Sequence, residues 1–508
     1  MSNYSKILIS FLFVALSIFA GNNPDSVQNQ VIKWESPWRS FQNTFEFNPA
    51  ATYTIPVRFF KQIGASYSDF NADNGLHLIQ EGNGASALKL FSESFETDSK
   101  FHFFGKANFI SDQKRNVGWR DVEDYQLLSP YLIADSIGGT YKRESYALSG
   151  GSSYRYKHME FGIRAAYQGG VSYRQVDPRP RNTVSSLSIN PGITYQNENL
   201  KLGWFGEYKR YRQNVDIQVE KEGRKIYFYL LQGFGLYNHN FSGLDDSFSR
   251  IYKGNLYTTG INFDYGNKVS STGFMLWINR NNIEAIETSN RIPYKITHNI
   301  FNVQLTKENE VFNRTLFLKG LYSLHQTIGN ETQYKPVTIN ATFLEWQFAT
   351  QSDRYQLLRN NIEFSALLAK KELTRFTVWE QLDVNWNKSE QKYYYPYYNQ
   401  NVNDLTGSAT IGFIYPLNKS SLAGSLKAGY KMVLSSSLNQ NENTILTNQL
   451  ILPDYYYLTK DIAYYQMNIN YRFTLYKQLL INLTFDTALS SANGQNALMN
   501  KVGFALNF

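Results

Sequence analysis

The side chains here that could do chemistry are six histidines, a scatter of charges at alternating positions and two tyrosine-dense stretches. The histidines are His77, His102, His158, His239, His298 and His325. None stands at metal-ligand spacing from another. His102 falls beside Lys106 on a polar strand face, and His77 falls in a loop. A general base needs a reacting group within hydrogen-bond reach, and the sequence offers His102 none. Serine is abundant, but no G-x-S-x-G elbow is present. There is no cysteine, which excludes disulfides, iron–sulfur clusters, thiol catalysis and cysteine-ligated zinc. The sequence therefore points to no catalytic residue, no metal site and no cofactor.

The charges are more informative. Lys106, Arg164, Arg174, Asp264, Lys319, Glu363, Asp383, Lys427, Lys431, Arg472 and Asp486 all fall on the polar parity of alternating segments. Two readings are open: they pair and fill a wet lumen, or they line a charged, weakly anion-favouring pore. "QKYYYPYYNQ" carries Tyr393, Tyr394, Tyr395, Tyr397 and Tyr398, and "LPDYYYLTK" carries Tyr455, Tyr456 and Tyr457. Read as two loops on one side of the protein, they either contact a ligand, since a ring with a hydroxyl stacks and hydrogen-bonds at once, or pack loop to loop or extend strands above the membrane. "VDPRPRN" (176–182) reads as a rigid turn, with an anion contact through Arg179 and Arg181 as the alternative.

The elements that must position these residues are strands. "YYQMNINYRFTLY" sets Tyr465, Met467, Ile469, Tyr471, Phe473 and Leu475 against Gln466, Asn468, Asn470, Arg472 and Thr474. About eighteen such segments (range 14–18) follow one another, centred near Tyr67, Leu90, Gly105, Gly150, Tyr167, Ile189, Gly206, Ile261, Leu276, Val303, Gly320, Phe364, Leu382, Ala409, Leu426, Ile469, Leu483 and Phe504. Their links alternate. "ETDS", "YKH", "NEN", "GNK", "KENEVFN", "KKELT", "PLNKS" and "YKQ" are tight, whereas 111–140, 213–255, 326–355 and 439–462 are long. The stretch "ANGQNAL" is the one short exception expected on the long side. Short periplasmic turns and long extracellular loops mark a single antiparallel transmembrane β-barrel. Lipid satisfies no backbone hydrogen bonds, so such a sheet must close. The final "VGFALNF" is expected to pair with the first strand, near "QIGASYSDF". Tyr154, Tyr156, Tyr173, Tyr265 and Tyr415 are expected at the lipid–water boundaries.

Composition agrees. Of 508 residues 42% are hydrophobic and 16% aromatic, while the mean hydropathy is −0.42, as alternation requires. Charged residues are 18%, below the roughly 25% of soluble proteins. The net charge of +8 comes without a dense Lys/Arg run, so no nucleic-acid partner is expected. Lys6 followed by the apolar run Ile7–Ala20 reads as a secretory signal peptide over residues 1–20. Residues 21–56, with Trp34 and Trp38, do not alternate and read as a periplasmic arm or a lumen plug. Residues 57–508 form the barrel. A TonB-type transporter needs about twenty-two strands and a large plug domain, more than this length supplies.

Val502, Phe504, Leu506 and Phe508 resemble the β-signal of outer-membrane proteins, which implies insertion by the barrel-assembly machinery. The wider chain resembles uncharacterised outer-membrane barrels of Bacteroidetes. "FNPA" at 47–50 is similar to the Asn-Pro-Ala of the long-chain fatty-acid-transporter superfamily, whose N-terminal segment packs inside its barrel. That family is built on fourteen strands, so its mechanism does not carry over. The expectation is an exported bacterial outer-membrane barrel in contact with lipid, acting as a pore or transporter for a small solute that the sequence does not name. The rivals are a non-transporting surface scaffold or secretion accessory, and a barrel enzyme.

Overall fold

The computed structural model describes residues 24–267, 270–287, 291–340, 343–370, 376–417, 420–440, 443–476 and 479–508. The expected signal peptide lies outside these residues. Eighteen antiparallel strands close into one barrel. In chain order they are β1 Phe59–Ala72, β2 Gly84–Asp98, β3 Phe101–Val117, β4 Gly139–Tyr156, β5 Met159–Arg174, β6 Arg179–Gln196, β7 Leu200–Gln218, β8 Ser247–Gly266 and β9 Ser270–Glu287. Then come β10 Tyr294–Val311, β11 Arg314–Asn340, β12 Phe343–Ala369, β13 Thr377–Tyr393, β14 Tyr398–Pro416, β15 Ser420–Asn439, β16 Ile462–Tyr476, β17 Leu479–Ala492 and β18 Gln495–Asn507. Each contains one expected centre. Closure is direct: β18 pairs with β1 from Asn507↔Gln62 to Ala497↔Ala72.

Alternation explains both faces. Outward residues stay exposed, including Leu187, Ile189, Ile261, Ile278, Leu305, Ile362, Phe364, Leu382, Ile411, Leu426 and Val502. Rings edge this apolar band. Tyr146 and Tyr154 on β4, and Tyr257 and Tyr265 on β8, are exposed pairs eight residues apart. Eight residues span ~27 Å of strand, or about 20 Å of height at barrel tilt, close to the apolar belt of a membrane barrel. Tyr156 and Tyr415 join the ring at the end where β1 begins, here the near end.

All near-end links are short. The other end, the loop end, is mixed. Links 73–83, 118–138, 219–246 and 440–461 are long, but 175–178, 288–293, 394–397 and 493–494 are short. The expected single short exception is thus one of several. Asn493 and Gly494 both take positive φ (50° and 78°), which suits a tight Asn-Gly hairpin. Within the expected loop 326–355, residues 326–340 and 343–355 are instead strand: β11 and β12 each run 27 residues and stay paired above the band as far as Asn340↔Phe343.

Candidate functional site: the barrel interior

The near end is filled by residues before β1. Helix α1 (Pro24–Trp34) stops at Ser36–Pro37, because the residue before a proline avoids the helical region. Its Val27, Val31 and Trp34 lie at i, i+4 and i+7 on one face. They pack with Phe45 on Phe60, Phe95 and Leu480 of the wall. Trp34 stacks on Phe60 at 4.5 Å between ring centres. Ile32, Trp38 and Phe41 pack on Phe317, Leu367, Ile414 and Ala423 across the lumen. Polar ties surround this apolar centre. Glu35 bridges Arg472 and accepts from Asn482 Nδ2 at 3.1 Å. Gln42 donates to Glu308 at 3.0 Å, and Gln304 donates to Asn43 at 2.9 Å. Thr52 donates to Glu160 at 2.5 Å, and Tyr53 donates to Asp264.

The Asn48–Pro49–Ala50 turn lies against three wall glycines. A Cβ on Gly192 would sit 2.1 Å from Asn48 Oδ1, one on Gly162 2.5 Å from the Pro49 backbone, and one on Gly203 2.6 Å from Asn48 Nδ2. Only glycine lets backbone approach this closely. Asn48, fully buried, donates to Thr194 and Asn262 and accepts from the Ala50 amide.

Loops 118–138, 219–246 and 440–461 pack into the loop end. Helix α2 (Thr44–Phe47) belongs to the near-end segment, α3 (Tyr125–Leu128) to the first of these loops, and α4 (Leu452–Leu458) to the last. Leu128, Tyr131, Phe228, Leu230 and Leu446 pack on inward Tyr211, Val215, Tyr252, Ile283 and Ile296. Tyr131 stacks on Tyr294 at 4.4 Å. A buried ionic clasp holds the first loop: Arg174 meets Asp135 at 2.5 Å and Asp121 at 3.5 Å. Helix α4 is tied by Asp454 Oδ1, which accepts from the Ile79 amide at 2.8 Å. Burial pushes this carboxyl, which lies outside the membrane band, up to about 7 against the opposing effect of that amide.

Between the two fillings the inner wall is polar. On β6–β10 its polar side chains are buried, among them Ser188, Asn190, Asn302 and Gln304. On β12–β18 many keep open surface: Asn361, Glu363, Asp383, Asn385, Ser408, Lys427, Asn468, Asn470, Asp486 and Lys501. An inward side chain is open only to lumen water, so a wet crevice runs along this side. Its charges pair across strands. Lys427 meets Asp383 at 3.5 Å and Lys501 meets Asp486 at 3.3 Å.

All eleven charged candidates point inward, but not to one environment. Glu363, Asp383, Lys427 and Asp486 face the crevice, Lys106 on β3 pairs with Glu93 and lies 3.6 Å from Glu46 of the N-terminal segment, and Lys319 reaches the Ser40 carbonyl at 3.4 Å. Arg164 grips the Phe45 and Glu46 carbonyls, Asp264 takes the Tyr53 hydroxyl and Lys431 donates to the Leu458 carbonyl. Arg174 and Arg472 are 2% and 3% exposed, so they fasten the fillings and line no open lumen. Sequence parity gives direction but not what lies opposite.

The tyrosines divide between strand ends, a turn and a helix. Tyr393 ends β13 and Tyr398 begins β14, and both turn inward, packing with Phe234 and Tyr355. The Tyr393 hydroxyl donates to Glu331 at 3.0 Å, and that of Tyr394 to Gln356 at 2.5 Å. Tyr395 and Tyr397 occupy the exposed turn. Tyr455, Tyr456 and Tyr457 lie on α4 and not in an irregular loop; Tyr456 is exposed, while Tyr457 packs toward Leu76 and Ala492.

Sequence reasoning missed one pair. His298 and His325 meet at 3.3 Å, and His298 also reaches the Leu127 carbonyl at 2.9 Å. Both lie on the inner parity of neighbouring strands, which is the signal that could have found them. Among the described residues no cluster of three or more potential metal-ligating side chains forms.

Apolar outside, polar inside and filled from both ends, the molecule is a closed β-barrel of the transmembrane type. The chain belongs to a family of unknown function, DUF6850, whose model matches residues 49–508. A search of the curated proteins returns no match. Among solved structures it is similar to the siderophore receptor PiuA of Acinetobacter baumannii, with 8% identity over 87% of this chain and 81% of that one and a TM-score of 0.36. It is also similar to the ferric citrate transporter FecA (9%, 89% and 79%, TM-score 0.39) and the ferric yersiniabactin uptake receptor FyuA of Yersinia pestis (8%, 89% and 80%, TM-score 0.36). Likenesses this low carry no strand count, ligand or function across.

Proposed function

We propose that the protein is a bacterial outer-membrane barrel that passes a small polar solute along the crevice of β12–β18, with residues 21–56 as a plug at the periplasmic end. The open, paired-charge inner wall between two fillings carries this reading. Amide and hydroxyl side chains replace a solute's water hydrogen bonds as it moves. Pairs of opposite sign leave no single-sign ring, so the path favours neither strong cations nor strong anions by charge alone. Eighteen strands leave room for a channel, and here protein occupies much of it, so passage requires displacing a filling. The signal peptide exports the chain, the apolar band contacts outer-membrane lipid, and Val502, Phe504, Leu506 and Phe508 serve the assembly machinery. No cofactor and no nucleic acid take part.

The buried Arg174 clasp favours a second reading, a permanently closed scaffold at the cell surface. Planar-bilayer recording separates the two. A transporter gives small or rare currents as the full chain and larger, steady ones once residues 21–56 are deleted. Silence from both forms, each migrating as a folded barrel, contradicts transport and supports the scaffold.

A further inference from the structure

A cavity of about 80 Å3 lies between the N-terminal segment and the wall of β2, β3, β4 and β5. Its charged lining is Arg39, Glu46, Glu93, Lys106 and Arg164. Lys106 sits 2.9 Å from Glu93, a good ion pair. Glu46 holds its two cations loosely, 3.6 Å from both Lys106 and Arg39, beyond hydrogen-bond distance. The guanidinium groups are fixed in place. Arg39 lies 3.5 Å over the Trp34 ring, and Arg164 lies 5.2 Å over Phe45 while donating to two carbonyls at 2.7 Å. A guanidinium has five N–H donors, so each keeps donors to spare. Glu46 and Lys106 are 47% and 44% exposed, so lumen water reaches both.

We propose that this cavity is a receptor site for a small oxyanion, a carboxylate or phosphate group on a lumen solute, which takes Arg39 and Lys106 over from Glu46. Volume sets the size. Liquid water takes about 30 Å3 per molecule, so the space admits one such group with water but no whole sugar or nucleotide. An oxyanion free to approach makes short, charge-assisted bonds where Glu46, held on α2, cannot. Once Glu46 swings away, three cations face Glu93 alone, and the anion is held more firmly. The α2 turn then keeps only its Arg164 bonds and its apolar contacts, and the segment loosens. The site rests on the transport reading and gives it a solute class, anionic, with a trigger.

The test uses the purified full chain in detergent at fixed ionic strength, titrated calorimetrically with acetate and, separately, with inorganic phosphate. Hydrogen exchange of the 44–48 amides is followed in parallel. Saturable binding of either anion supports the site, acetate alone marking a carboxylate solute and phosphate alone a phosphate ester. Glu46→Gln removes the competitor and tightens binding by about tenfold, whereas Arg39→Gln with Lys106→Gln weakens it by at least about tenfold. Added anion speeds exchange at 44–48. No saturable binding in wild type and Glu46→Gln, binding indifferent to all three substitutions, or slowed exchange at 44–48 overturns the proposal. Heat-modifiable migration confirms that each variant is folded. If the barrel without residues 21–56 conducts but anions leave the full chain unchanged, the site falls and transport stands.

Discussion

Gly192 shows how single residues decide what the interior can hold. The Asn48 side chain sits where a methyl group would go, so Gly192→Ala collides with a buried amide and not with a flexible tip. The expected cost is about 1–3 kcal/mol, read as exchange of the Asn48, Ala50 and Ala51 amides at least about tenfold faster with the barrel intact. Glu35 makes the complementary case. Glu35→Ala leaves the Arg472 guanidinium buried without its counter-charge and Asn482 without its acceptor. Removing one partner of such a pair costs about 3 kcal/mol, and α1 should become protease-sensitive in the folded barrel. Unchanged protection of α1 would mean that its apolar face alone holds it. Neither dependence could be read from the sequence. Gly192 and Arg472 announce their faces by parity, but their partners Asn48 and Glu35 lie more than a hundred residues away in a segment without alternation.

At the scale of elements, legibility followed solvent. Every strand crossing the apolar band has one greasy and one wet face, and each was visible as alternation. Above the band both faces are wet and the signal disappears. The upper halves of β11 and β12, with Gln333, Lys335, Glu345 and Gln347, therefore read as loop. Register shifts near Gly329 and Gln333 mark the irregular pairing there. The helix α1 was legible in principle, since Val27, Val31 and Trp34 carry its spacing. The three adjacent tyrosines of α4 carry no period at all. Docking of α4 brings a pH dependence. Unfolded, Asp454 titrates near 3.9; folded, near 7. Between these values the docked form holds a proton that the free form releases. Its contribution is full below about pH 4, declines as pH rises and is lost above about pH 7. Exchange of the Ile79 amide, corrected for the intrinsic effect of pH, should therefore rise from pH 5 to pH 8, and Asp454→Asn should abolish the rise. A flat profile in the native protein would place the carboxyl in water.

At the scale of the whole molecule everything depends on closure. A sheet in lipid has no tolerable edge, and the β18–β1 seam is where this one would otherwise have two. The seam also makes the interior a separate compartment, without which plug, crevice and anion site have no meaning. The chain has no cysteine, so a designed pair is unambiguous. Ser66 and Gly503 are register partners across the seam, and a Cβ built on Gly503 lies 3.5 Å from that of Ser66, within disulfide range. Thr484 and Gly503, partners within the β17–β18 hairpin, provide a control that forms whether or not the ring closes. The measurement is oxidation of Ser66→Cys/Gly503→Cys protein in isolated outer membranes, followed by denaturing gel mobility with and without reductant. A closed barrel gives the seam pair a reductant-sensitive, fast-migrating species looped over nearly the whole chain, while the control pair, which closes only a short hairpin loop, is scored by the loss of its free thiols. Cross-linking of the control pair alone would leave the seam open and contradict the account.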